Sequence, residues 1–167
     1  MNKLHIPPLD EQAAKAALEH QKILAKPPLA LGKLEPVAIR IAGMTGNPAP
    51  RLKDKAIVLF AADHHIADHG LSLTSTDVTY IQTRNFLQGG GTINAFTRNA
   101  GARLSVVDVG VNYDFGDLPG LVKRKVMHGA NDFSREPAMT REQALECLQV
   151  GIDMAREEKN KGLDIVA

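Results

Sequence analysis

Residues 56–62, Ala-Ile-Val-Leu-Phe-Ala-Ala, form an unbroken apolar run of strand length that stops abruptly at Asp63-His64-His65. A run with no polar alternation marks a strand covered on both faces, as in a parallel sheet between helices. Parallel strands in turn need crossover connections, usually helical. Val58 and Leu59 are therefore expected to be buried, one on each face of a central strand.

The flanking segments supply those helices. Residues 11–25 are rich in Ala, Glu, Lys and Gln, which favour helix, and Pro27-Pro28 ends it. A second helix is predicted over 32–42, with Pro36 tolerated in its first turn, before a Gly- and Pro-containing loop over 43–50. After the first strand, a helix is predicted over 77–87, ending at Gly89-Gly90-Gly91. A short helix over 92–99 then closes at Gly101. A second strand occupies 104–107 and leads into Asp108-Val109-Gly110, and a weaker third spans 122–127. Thr140 to Gln143 is a capping box opening a helix with Leu145, Leu148, Ile152 and Ala155 on one face. A further strand begins at Leu163. This alternation predicts a three-layer α/β domain over 51–167, with a mostly parallel, Rossmann-like sheet, preceded by a helical segment over 1–50.

Composition narrows the function classes. Twenty basic residues against nineteen acidic ones leave a net charge of +1, which offers no footprint for nucleic acid or an anionic membrane. The basic triplet Lys123-Arg124-Lys125 reads as a solvated strand end. Cys147 is the lone cysteine, so no intrachain disulfide forms. The first ten residues lack the apolar core of a secretory signal, and no apolar run approaches the ~20 residues that span a bilayer. The expectation is a cytoplasmic protein.

Ligands of open parallel sheets bind beyond the carboxyl ends of the strands. Asp63 and His64 stand there after the first strand and Asp108 after the second, either as ligand contacts or as loop caps. Gly89 and Gly90 precede a helix and leave backbone N–H groups for an anion, or else form a plain turn. His64, His65 and His69 with Asp63 and Asp68 suggest metal ligands, but no other His/Asp cluster joins them. Asp63-His64-His65 also resembles the signature of the DHH phosphoesterases, whose further aspartate-rich metal segment has no counterpart before Ala56.

A longer resemblance runs from Lys26 to Ala167. Residues 26–35, Lys-Pro-Pro-Leu-Ala-Leu-Gly-Lys-Leu-Glu, resemble the KPPGSLGRLE segment of the nicotinate-nucleotide:dimethylbenzimidazole phosphoribosyltransferases. Phe60 to His64 resembles their FA(A/G)DHG, and Gly70-Leu71-Ser72 followed by Val78-Thr79 their GVSxxxxxVT. Asn85 to Gly90 resembles NFLxGG, Val107 to Gly110 VDVG, Arg124 to Val126 RKV, and Pro137 to Thr140 PAMT. Seven ordered pieces at matching spacing identify the family.

The resemblance implies transfer of the phosphoribosyl group of nicotinate mononucleotide to 5,6-dimethylbenzimidazole or a related base, giving α-ribazole phosphate and nicotinate in cobalamin lower-ligand synthesis. It implies no cofactor and no metal. Its partners are those two small molecules and either a second copy in a homodimer or a complementing C-terminal chain, with no nucleic acid or membrane. Ser72 and the helix after it, including Gln82, fall in the benzimidazole region. The substrate-binding set is Asp63, His64, Ser72, Gln82, Gly89, Gly90 and Asp108, with no catalytic residue assigned. The family's GEMGIGNTT-like phosphate loop and catalytic glutamate lie beyond the matched region, so this half is expected to be inactive alone. The alternatives are a DHH-type metal-dependent phosphoesterase and a non-catalytic base-binding fragment. Departures from the family pattern are His65 for a glycine, Leu29-Ala30 for Gly-Ser, Glu136 for a glycine and Asp132 for an asparagine unless Asn131 serves. The expected glutamine falls near Tyr80 or Ile81, with Gln82 just beyond.

Overall fold

The computed structural model describes residues 5–167, which fall into two compact units, 5–52 and Lys53–Ala167. The first is a helical hairpin of α1 (Glu11–Ile23) and α2 (Leu34–Thr45). Asp10 starts α1 by accepting from Ala13 N at 2.9 Å. Small residues at the contact let the backbones close up: Ala13, Ala17 and Ala42 are buried, and a Cβ on Gly43 would lie 3.3 Å from Ala14 Cβ. Within the connection, Lys26 Nζ pairs with buried Glu35 Oε1 at 2.7 Å, and Leu31 N donates to the same oxygen at 3.2 Å. The first and last residues of the 26–35 motif are thus joined to each other. Lys26 first, then the Leu31 amide, hold the Glu35 carboxyl below its usual range.

The second unit is a four-stranded parallel sheet in the order β3-β2-β1-β4, with β1 Lys55–Ala62, β2 Ala102–Gly110, β3 Leu121–Lys123 and β4 Ile165–Val166. Between β1 and β2 lie a 3-10 turn at His65–His69, then α3 (Val78–Leu87) and α4 (Thr92–Ala100). The long α5 (Arg141–Asn160) precedes β4. Leu59 and Ala61 of β1 join Leu104 and Val106 of β2 under Tyr80, Phe86 and Leu87 of α3. On the other face, Val58, Val107 and Val109 pack with Val150 and Met154 of α5. This is the expected three-layer arrangement.

Three local expectations change. Val58 and Leu59 do lie on opposite faces, but both are half-buried, and Phe60 is 43% exposed. The reason is that β4 pairs only with the start of β1, at Lys55 and Ala56, with Ala167 adding a bond to Val58. The third strand shortens to three residues, although Arg124 N and Val126 N still donate to Asp108 O and Val109 O. On α5 the inward face is Val150, Met154 and Glu158, whereas Leu145 and Leu148 are exposed. A buried glutamate carries that face because Arg103 (3.1 Å), Ser105 (2.9 Å) and Lys161 (2.7 Å) surround its carboxylate. Burial pushes the Glu158 carboxyl up, and Lys161, Ser105 and Arg103 together outweigh it, so the net shift is downward.

Candidate ligand cleft at the carboxyl ends of the strands

Asp63 and Asp108 are both buried, and both carboxylates are committed to the loop that follows β2. Asp63 Oδ2 accepts from Asn112 N at 2.7 Å, and Asp108 Oδ1 accepts from Val111 N at 2.9 Å. Lys125 Nζ lies 3.2 Å from Asp108 Oδ2 and donates to the carbonyls of Val111 and, at 2.7 Å, Tyr113. Each aspartate thus caps the loop that follows β2. The basic triplet is not wholly a solvated strand end, because the Lys125 ammonium is shared among three acceptors.

Beside Asp63, an apolar cleft of about 320 Å³ opens between the carboxyl ends of β1 and β2 and the first turns of α5. Phe60, Val109, Met127, Met139 and Leu148 form its walls, with Asp63 and His64 among the lining residues. Cys147 also lines it, its thiol pushed up by burial and then by Glu146.

The turn after β1 is tied to the segment after β3. His65 N donates to Ala130 O, Ala130 N donates to Asp63 O, and His69 Nε2 meets Asp132 Oδ2 at 2.7 Å. His69 first, then Ser134, hold the Asp132 carboxyl well below the usual range. His65 bonds to Asp68 through Nδ1 and to His128 O through Nε2. Its ring fits because residue 129 is glycine, where a Cβ would lie 3.2 Å from His65 Nε2. The histidine that replaces the family's glycine is thus accommodated at this turn by Gly129.

Ser72 is exposed three residues beyond His69, at the same end of the sheet as Asp108, and among the described residues its hydroxyl bonds to Thr74 alone. Gln82 is exposed on the side of α3 turned away from the sheet-facing Tyr80 and Thr83, its amide oxygen taking one bond from Asn85. Leu71, Leu73 and Ile81 expose apolar surface in the same stretch.

Gly89 and Gly90 stand apart from this group. α3 returns to the amino ends of the strands, where Leu87 lies against Gly120, the residue before β3. The expectation of free N–H groups is overturned: Gly89 N donates to Phe86 O, Gly90 N to Asn85 O and Gly91 N to Asn94 Oδ1. A Cβ on Gly90 would fall 2.2 Å from Asn85 Oδ1, and one on Gly91 2.4 Å from Phe86. The NFLxGG string is a turn packed on itself. Of the side chains weighed as metal ligands, His65 spends both ring nitrogens on Asp68 and His128 O, His69 bonds Asp132 and Asp63 caps Asn112 N. Among the described residues no three metal-binding side chains converge.

Fold and cleft define a three-layer, parallel α/β domain with an apolar cleft at the carboxyl ends of its strands, the end at which open parallel sheets bind ligands. Residues 6–167 match the family model described as phosphoribosyltransferase, and the chain belongs to that family. It is 47% identical over 163 residues to the nicotinate-nucleotide–dimethylbenzimidazole phosphoribosyltransferase of Chloroflexus aggregans, covering 98% of this chain and 46% of that protein. The protein of the same name from Geobacter sulfurreducens is 45% identical over 159 residues, covering 95% and 45%. The crystal structure of CobT from Thermus thermophilus superposes with a TM-score of 0.87 at 39% identity, covering 93% of this chain and 46% of that one. The chain thus spans about half the length of the curated relatives it matches. No helix among the described residues is long and apolar enough to cross a membrane.

Proposed function

We propose that the protein carrying this chain transfers the phosphoribosyl group of nicotinate mononucleotide to 5,6-dimethylbenzimidazole or a related base, and that these residues supply the base-binding side. The observation that carries the reading is the family match across 6–167, together with relatives of that name at 45–47% identity. In the reaction one benzimidazole nitrogen attacks the anomeric carbon and the bond to nicotinate breaks. The proton on the other base nitrogen passes to a general base. A flat aromatic base calls for apolar surface with a few polar groups at its rim. Leu71, Leu73 and Ile81 beside Ser72 and Gln82 have that character, and we assign the base to this stretch. Asp63 and His64 border the neighbouring apolar cleft, and Asp108 supports the loop between.

The general base is proposed to come from elsewhere, because the two buried carboxylates at this end, Asp63 and Asp108, are committed to backbone and Lys125. The large apolar residues exposed by the helical unit, among them Ile23, Leu29, Leu34 and Met44, support a homodimer or a complementing chain. The near-neutral charge and lone Cys147 fit a cytoplasmic enzyme. The test is incubation of the 167-residue chain with both substrates, with chromatography of the products. Base binding without α-ribazole phosphate is expected, and turnover above the enzyme-free control contradicts the assignment of the general base.

A further inference from the structure

Three charged side chains from three strand ends converge on one short loop. Asp108 holds Val111 N, Asp63 holds Asn112 N, and Lys125 holds the carbonyls of Val111 and Tyr113. Loop-tip peptide groups are ordinarily satisfied by water. Here they are satisfied by groups whose removal from water is costly, an arrangement that only makes sense if the loop must stand in one place. What the cradle presents is the Tyr113 ring. It stacks on Tyr80 with ring centroids 4.4 Å apart and planes 14° from parallel, and Phe115 meets it edge-on at 5.2 Å. The Arg84 guanidinium lies 5.8 Å from its centroid.

Tyr80 sits in the first turn of α3, immediately before Ile81 and Gln82. At that end Asp77 makes no side-chain capping hydrogen bond, and Val78 N and Thr79 N donate to the carbonyls of Ser75 and Thr76 within the preceding exposed turn. The stack on Tyr113 is what ties this turn to the cradled loop after β2.

We infer that Lys125, Asp108 and Asp63 are positioning residues for the aromatic base, acting through Tyr113 and Tyr80 on the exposed Ile81–Gln82 side of α3. The inference rests on the proposed base-binding role of that stretch. It also explains why the VDVG and RKV strings occur together: Asp108 of one is the partner of Lys125 of the other. None of the three touches the base, so their loss moves the base site without touching the phosphoribosyl donor.

The experiment compares the whole active protein with its Lys125→Met, Tyr113→Ala and Tyr113→Phe variants. Near-UV circular dichroism first checks folding. Binding of 5,6-dimethylbenzimidazole is measured by calorimetry, and KM is determined for each substrate. Lys125→Met and Tyr113→Ala are expected to raise Kd and KM for the base about tenfold. The KM for nicotinate mononucleotide and kcat at saturating base should move less than about threefold. Tyr113→Phe keeps the ring and should restore base affinity. If Lys125→Met does not fold, Tyr113→Ala against Tyr113→Phe decides alone. Unchanged base affinity in a folded variant, or equal rises in KM for both substrates, overturns the positioning role while leaving the base site intact. An unsubstituted protein that binds no base overturns the base site and the inference together.

Discussion

Leu29 is the residue that departs furthest from what its backbone wants. It is the single non-glycine residue with positive φ among those described, at +59°, and its side chain is 75% exposed. The resembling family motif has glycine at this point, so the sequence shows the departure, but the strain appears only in the dihedral. A left-handed conformation costs an L-residue about 1–2 kcal/mol, of which glycine's extra freedom in the unfolded chain takes back part. Leu29→Gly is therefore expected to stabilise the helical hairpin by roughly 0.5–1 kcal/mol in urea unfolding, with unchanged slope. A loss of stability would mean that the leucine side chain makes a contact that outweighs its strain. Glu35, in the same connection, carries a pH signature. Its folded carboxyl lies below the ordinary value of about 4.3, so its contribution is fully present above that value and fades as pH falls through the lowered one. Glu35→Gln is expected to reduce stability at neutral pH and to flatten the acid limb of a stability-versus-pH curve. A limb of unchanged steepness would assign the acid loss to other carboxylates.

At the scale of elements, strands and helices are legible in the sequence because their signals are local. The apolar run at β1, the capping box of α5 and the glycine after α4 each act within a few residues. Legibility ends where the deciding partner is distant. The inner face of α5 differs from the sequence reading because Glu158 looks like a surface residue until Arg103 and Ser105, more than fifty positions away, are seen around it. Glu158→Ala is accordingly expected to cost about 2–3 kcal/mol, since charge-assisted hydrogen bonds are lost and Arg103 loses its partner. A loss under about 0.5 kcal/mol would show that Lys161 and water already satisfy the cluster. Leu59→Ala, at a half-buried position in β1, should cost about 2 kcal/mol, the lower end for a core leucine. A loss of about 5 kcal/mol would show that the strand is covered far more completely than its exposure indicates.

For the whole molecule, the candidate site is legible in part. Asp63, His64 and Asp108 are found from their place after the apolar strands, but their roles are not, because no sequence rule says which peptide N–H a carboxylate will meet. Lys125 and Tyr113 carry no signal of their own, being an ordinary member of a basic triplet and a loop aromatic. Gly89 and Gly90 have the look of an anion-binding turn, and the structure instead uses Gly90 to admit Asn85 and its neighbour Gly91 to admit Phe86. What remains at the carboxyl end is an apolar cleft beside two buried carboxylates that are both engaged by the loop after β2. The central claim, that these residues bind the acceptor base but do not by themselves turn it over, is tested most directly by titrating the 167-residue chain with 5,6-dimethylbenzimidazole while following backbone amide resonances. The account predicts saturable shifts concentrated at Ser72, Ile81 and Gln82, with no product when nicotinate mononucleotide is added. Shifts absent from that stretch at saturating base, or product formed by the chain alone, would contradict it.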